Sequence, residues 1–170
     1  MKKFLNKKII LSIISVFLVI SIVFLIYGNF SVDVQEIHVV TDKLPESFHN
    51  YLIAHISDYH NRNSEIVDNQ IFDSLNEEQP DIIVITGDII DSTHTKVDVA
   101  LEFAKKLCEI APVYYVTGNH ECNISIDSQS SFDNMISDLE ALGVEVLRGE
   151  KSEIKLENGE KINVFGIEDP

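Results

Sequence analysis

Three short apolar runs, separated by stretches of helical periodicity, restrict this chain to few folds. They are YLIAHIS (Tyr51–Ser57), DIIVITG (Asp81–Gly87) and PVYYVTG (Pro112–Gly118), and each reads as a strand. After the first, Val67, Ile71 and Leu75 recur at i, i+4 and i+8 within Ser64–Asn76, the spacing of an amphipathic helix. After the second, Val97, Ala100, Leu101, Ala104, Leu107 and Cys108 share one helical stripe within Val97–Glu109. After the third, Phe132, Ile136 and Leu139 predict a helix over Phe132–Leu142, with Gly143 in the C-cap position. Strands that alternate with helices and are apolar on both faces predict a parallel sheet covered by helices. VEVLR, SEIKLEN and KINVFGI then read as further strands, the last two joined at the turn pair Asn158-Gly159. VDVQEIHVV (Val32–Val40) also alternates like a strand, and TDKLPESFHN after it reads as a loop.

The region before this rhythm is different in kind. Met1–Lys8 carries four lysines and no acid, and Ile9–Tyr27 is an uncharged apolar run long enough to span a bilayer. A cleavable secretory signal usually has a shorter apolar core that ends at a small-x-small site. LIYGNFSVDVQ offers a poor one, so the run reads as an uncleaved anchor. Because the lysines precede the span, the expected topology keeps the N-terminus in the cytoplasm and exports the rest across the cell membrane. The resulting plan is a basic N-terminus (1–8), a transmembrane anchor (9–27), a juxtamembrane strand and loop (28–50) and an α/β domain (51–170).

All 28 acidic residues follow the anchor, against nine of the 13 Lys and Arg, so the exported part has a formal charge of −19. Such a surface repels nucleic acid and anionic lipid heads, which excludes recognition by a basic patch. Acidic side chains gathered in one place can still bind cations. Cys108 falls on the apolar side of its helix and reads as a buried thiol. With Cys122 it makes neither a zinc site nor a disulfide framework.

Ligands of parallel α/β sheets bind beyond the carboxyl ends of the strands. The three ends here read SDYH, with Asp58 and His60; TGDIID, with Gly87, Asp88 and Asp91; and TGNHE, with Gly118, Asn119, His120 and Glu121. Asp58 and His60 are expected on one side of an extended segment, because successive side chains alternate. Gly87 and Gly118 let the backbone turn sharply and pass close to whatever is bound. Any one of these motifs alone is commonly a turn, but three in register predict a metal site. Carboxylate, imidazole and carboxamide without thiolate suit divalent Mn, Fe or Zn. Two such ions sharing a carboxylate can grip a phosphate and generate a hydroxide near neutral pH. His55 lies in the first strand on the face opposite Asp58 and reads as a hydrogen-bonded core histidine. His38, His49 and His94 read as loop residues outside the three blocks.

The blocks D-Y-H, G-D-I-I-D and G-N-H-E resemble the first three signatures of the calcineurin-like metallophosphoesterase superfamily, and Tyr51–Pro170 resembles its N-terminal half. The layout is similar to membrane-anchored bacterial members. The resemblance implies an N-terminal transmembrane helix followed by the first half of a β-sandwich flanked by helices. It implies a binuclear centre of two divalent ions whose bridging hydroxide attacks a phosphate ester or pyrophosphate. Asp58 and His60 would hold the first metal, Asp88 would bridge, and Asn119 would hold the second. His120 would contact the phosphate and protonate or stabilise the leaving oxygen, Asp91 would orient His120, and Glu121 would hold the loop. The substrate would be a phosphorylated small molecule or a lipid-linked phosphate or pyrophosphate. Asp91 is followed by Ser92 and Thr93, so the arginine of the Ser/Thr phosphatase branch is absent. Every histidine lies at or before His120, whereas the superfamily completes its site with later histidines. The 170 residues are therefore expected to bind metal weakly and to hydrolyse little. The alternative expectation is a non-catalytic, membrane-tethered remnant or binding module.

Overall fold

The computed structural model describes residues 6–123 and 129–167. Helix α1 (Lys7–Phe30) is uncharged beyond its first two residues and exposed along its whole length, as a bilayer-spanning helix would be outside its membrane. Its bounds exceed the expected anchor by a few residues at each end. The expected strand at Val32–Val40 does not form: residues 31–40 have no regular structure, and Val34, Ile37, Val39 and Val40 are exposed. Alternation alone cannot make a strand without a partner for its backbone groups. A single 3₁₀ turn, Glu46–Phe48, precedes the domain and buries Phe48.

Strands β1 (Ile53–Ile56), β2 (Ile82–Thr86), β3 (Val113–Val116) and β4 (Glu145–Val146) form one parallel sheet in the order β1-β2-β3-β4. The register pairs Ile56 with Ile85 and Thr86 with Val116, so the first three strands end side by side. Helices α2 (Glu65–Glu78), α3 (Val97–Cys108) and α5 (Gln129–Ala141) join them, and the four-residue helix α4 (Asn119–Cys122) follows β3 directly. In α2, Glu65 and Asp68 lie in the first turn, where carboxylates favour the helix dipole. Gln79 closes this helix in the left-handed conformation, and Pro80 follows it. Helix α3 has Asp98 in its first turn and Lys105 and Lys106 in its last, the same complementarity at both ends.

One face of the sheet packs on the helices. Ile83, Ile85, Val113 and Tyr115 meet Ala100, Phe103, Ala104, Leu107, Met135 and Leu139 there. The buried stripe of α3 is rotated from the expected one: Phe103 is buried, while Leu101 and Cys108 are half-buried beside it. The other face carries no α-helix among the described residues. An antiparallel hairpin, β5 (Lys151–Lys155) and β6 (Lys161–Phe165), covers part of it. Ile154, Ile162 and Val164 pack there with Ile82, Val84, Tyr114 and Phe48. The parallel sheet thus has helices on one face and a hairpin on the other, in keeping with the expected sandwich flanked by helices. His55, expected in a core, is exposed on the hairpin side with its Nε2 2.6 Å from Thr86 Oγ1.

Candidate metal centre

The chain abandons the β conformation directly after β1. Asp58 (φ 57°), His60 (φ 49°), Asn61 (φ 49°) and Asn63 (φ 44°) are all left-handed. Asp, Asn and His are the residues other than glycine that adopt this region most readily. Asp58 and His60 therefore do not converge through strand alternation as expected. They converge because a tight loop is bonded to its neighbour. The N–H groups of Asp58, His60 and Asn61 donate to the carbonyls of Gly87, Asp88 and Ile89 at 3.4, 2.9 and 3.1 Å. Between the two candidate ligands, Tyr59 turns inward and stacks on Phe103, with ring centroids 3.9 Å apart and planes 10° apart. This buried ring plugs the loop into the core and leaves its polar neighbours at the surface side.

The second and third loops meet backbone to backbone. Gly87 has φ 89°, and a Cβ there would sit 2.5 Å from the N and Cα of Gly118. A Cβ on Gly118 would in turn collide with the Asp88 carboxylate. Asp88 is itself left-handed (φ 54°) and buried, and its Oδ1 accepts the His120 N–H at 2.9 Å.

Beneath them lies Glu121, 2 % exposed. Its Oε2 accepts the N–H groups of Asp88 and Gly118, both at 2.8 Å, and its Oε1 accepts that of Ile90 at 3.1 Å. One carboxylate thus ties the second motif to the third through three charge-assisted bonds. Burial pushes the Tyr115 phenol far above its usual range, and the neighbouring Glu121 charge adds to the effect.

These loops gather two overlapping groups of donor atoms. Asp58, His60 and Asp88 each offer one atom such that all three lie within 4.8 Å of one another; His60, Asp91 and His120 do the same. His60 is common to both. Its Nε2 is 3.6 Å from Asp58 Oδ1, and its ring meets that of His120 edge-on at 4.4 Å between centroids. Asn119 opens helix α4 as an exposed residue and lines a cleft of ≈ 800 Å³ together with Asp58 and Asp88.

Asp91 and His120 lie close without a direct hydrogen bond. The His120 Nδ1 accepts the Ser92 N–H at 3.1 Å, and the Ser92 hydroxyl is 3.3 Å away. Asp91 instead accepts the Thr93 hydroxyl at 2.6 Å and the N–H groups of Thr93 and His94 at 2.7 and 3.0 Å. Those bonds, led by the Thr93 hydroxyl, lower the Asp91 pKa to about 2, with a smaller contribution from nearby His120. The contact expected from Asp91 onto His120 is therefore made by the next residue, in a turn that Asp91 closes.

Sequence reasoning missed Ser92, Tyr59 and Asn61. Asn61 is buried and donates through Nδ2 to the His94 carbonyl at 3.0 Å, holding the loop after Asp91 against the loop after β1. The one legible signal was an asparagine directly following the D-Y-H block, a residue suited to a left-handed turn.

The donor set fits a divalent cation. Carboxylate oxygen and imidazole nitrogen without thiolate suit Mn²⁺, Fe or Zn²⁺. Asp58 and Asp88 have no Lys or Arg ion pair among the described residues, so their mutual repulsion asks for a positive charge between them. His60 Nδ1 is buried and has no hydrogen-bond partner among the described residues, a cost that cation binding by the ring would offset.

Comparison with known proteins agrees with this chemistry. A zebrafish (Danio rerio) protein described as "Transmembrane protein with metallophosphoesterase domain" is 27% identical over 145 residues, 81% of this chain and 32% of that protein. "Uncharacterized metallophosphoesterase YkoQ" of Bacillus subtilis (strain 168) is 29% identical over 119 residues, 69% of this chain and 43% of its own length. The chain thus spans less than half the length of these relatives. The profile of the calcineurin-like phosphoesterases matches residues 51–169, which contain all three motifs and every side chain of the centre just described, and the chain belongs to that family.

Proposed function

We propose that the domain hydrolyses phosphate ester or pyrophosphate bonds with two divalent ions held at the ends of β1, β2 and β3. The observation that carries this reading is the gathering of Asp58, His60 and Asp88 donor atoms within 4.8 Å of one another, with Asn119 on the same cleft as Asp58 and Asp88. In it, Asp58 and His60 would hold the first ion, Asp88 would be shared by both, and Asn119 would hold the second. Ions bound there would neutralise the phosphoryl oxygens and supply a water acidic enough to attack at neutral pH.

The chain's own residues have distinct tasks in this scheme. Glu121 and the close-packed Gly87 and Gly118 fix Asp88 beside His120. The Ser92 N–H occupies His120 Nδ1, so the neutral ring carries its proton on Nε2. That Nε2–H would donate a hydrogen bond to the leaving oxygen and so stabilise the charge that develops on it. Asp91 keeps the turn that aims the Ser92 amide, and so positions His120 indirectly.

The anchor reading belongs to the same proposal. The lysines before the apolar run Ile9–Tyr27 favour an N-terminus in the cytoplasm and the domain outside, with substrates that include lipid-linked phosphates or pyrophosphates. The acid excess argues against nucleic acid as a partner. Titration of the 170-residue protein with Mn²⁺, by calorimetry, tests the centre. Saturable binding that Asp88→Asn removes supports it; binding unchanged by that substitution sinks the assignment and favours a module without a catalytic centre.

A further inference from the structure

A helix leaves its last four carbonyls without intrahelical partners, and a cation near that end is favoured by the helix dipole. Helix α1 has no basic residue in its last turn. The missing donors come from the domain instead. Arg62 donates its guanidinium Nη2 to the Asn29 carbonyl, and Gln70 donates through Nε2 to the Phe30 carbonyl at 2.8 Å. Gln70 Oε1 also accepts the Val32 N–H at 3.2 Å, so the segment leaving the helix is held as well. Arg62 is the single Lys or Arg between Lys43 and Lys96, in a stretch dominated by acids.

The position of these contacts along the helix has a consequence. The apolar run Ile9–Tyr27 is about 28 Å long at 1.5 Å per residue, close to the roughly 30 Å hydrocarbon thickness of a bilayer. Tyr27, Asn29 and Phe30 then lie at the headgroup level, where aromatic residues are favoured. Arg62 reaches that level too. His60 is two residues away, at most about 7 Å of chain.

We propose that Arg62 and Gln70 clamp the domain onto the exit of its own membrane helix, so that the 58–63 loop and α2 face the lipid surface. The β5–β6 hairpin packs on the face of the sheet opposite α2 and would lie farther from the lipid in this orientation. As a corollary, a phosphoester held in the headgroup layer reaches Asp58 and His60 more readily than one arriving from bulk water. That corollary rests on the phosphoesterase reading; the orientation rests on the anchor reading alone.

The test uses the full chain in phosphatidylcholine vesicles containing a nitroxide-headgroup lipid. A fluorophore is placed at Asn63→Cys or, separately, at Asn158→Cys, in a Cys108→Ala/Cys122→Ser background. Strong quenching at position 63 and weak quenching at 158 is the expected result, and Arg62→Ala with Gln70→Ala should abolish the difference. Equal quenching at the two positions, or a difference untouched by the double substitution, overturns the proposal. Mn²⁺ titration of the same vesicles separates the two readings: quenching retained without metal binding leaves the orientation standing and removes the phosphoesterase.

Discussion

The two faces of the parallel sheet have opposite fates although they alternate along the same strands. On the helix side Ile83 and Ile85 are 0 % and 2 % exposed, packed in a core of helix, strand and loop residues that includes Phe103, Val113 and Tyr59. On the hairpin side Ile53 is 49 % exposed, and Thr86, Val116 and Phe165 line an open cleft. That cleft ends at Asp58, Asp88 and Asn119. The closed face supplies stability and the open face supplies access, and the candidate centre lies where they meet. Burial, rather than residue type, decides which positions tolerate change.

Substitutions can break this contrast directly. Leu107→Ala, which empties a fully buried site against the sheet, should cost about 2–5 kcal/mol in urea unfolding. Ile53→Ala on the open face should stay within about 0.5 kcal/mol, and equal losses at both sites would mean that the open face is covered in solution. Glu121→Ala attacks the junction of the two faces. Leaving two buried N–H groups and one partly buried without an acceptor should cost about 3 kcal/mol, and Mn²⁺ binding should fall with it, because Asp88 and Gly118 lose their common tie.

Asp88→Asn isolates chemistry from packing. It should lower Mn²⁺ affinity by more than about 100-fold, beyond the loss of an outer partner, while unfolding midpoints hold or rise as the repulsion with Asp58 is relieved. His120→Asn should spare metal binding and lower turnover in any longer form of the protein that shows activity; loss of metal would reassign His120 as a ligand.

The smallest expected effect is set by pH. The Asp91 pKa is lowered to about 2 from 3.8, so its ionised form favours the folded state. That contribution is complete above the unfolded value and disappears as pH falls through about 2. The urea midpoints of the parent and Asp91→Asn should therefore differ at pH 5 and converge towards pH 2. A constant gap would show that the turn closed by Asp91 does not depend on its charge.

Much of this architecture was legible in the residues. The three apolar runs became β1, β2 and β3, and the i, i+4 spacings became α2, α3 and α5, because period and burial are tied in any regular element. Glu121 was read as a loop-holding residue, and the structure gives it three amide donors. What failed depended on partners far away in the chain. Val32–Val40 has the pattern of a strand and nothing to pair with among the described residues. His55 has the position of a core residue, but the second layer does not reach it.

The sequence by itself determined a membrane-length apolar helix, an acidic α/β domain with parallel strands, and the identity of the donor groups at their ends. Local periodicity and side-chain chemistry suffice for these. Only the tertiary structure decided how the donors meet. Left-handed turns at Asp58, His60 and Asp88, a glycine contact between residues 87 and 118, and one buried carboxylate brought three distant segments within 4.8 Å. Those are long-range packing and hydrogen-bonding terms, which no local pattern records.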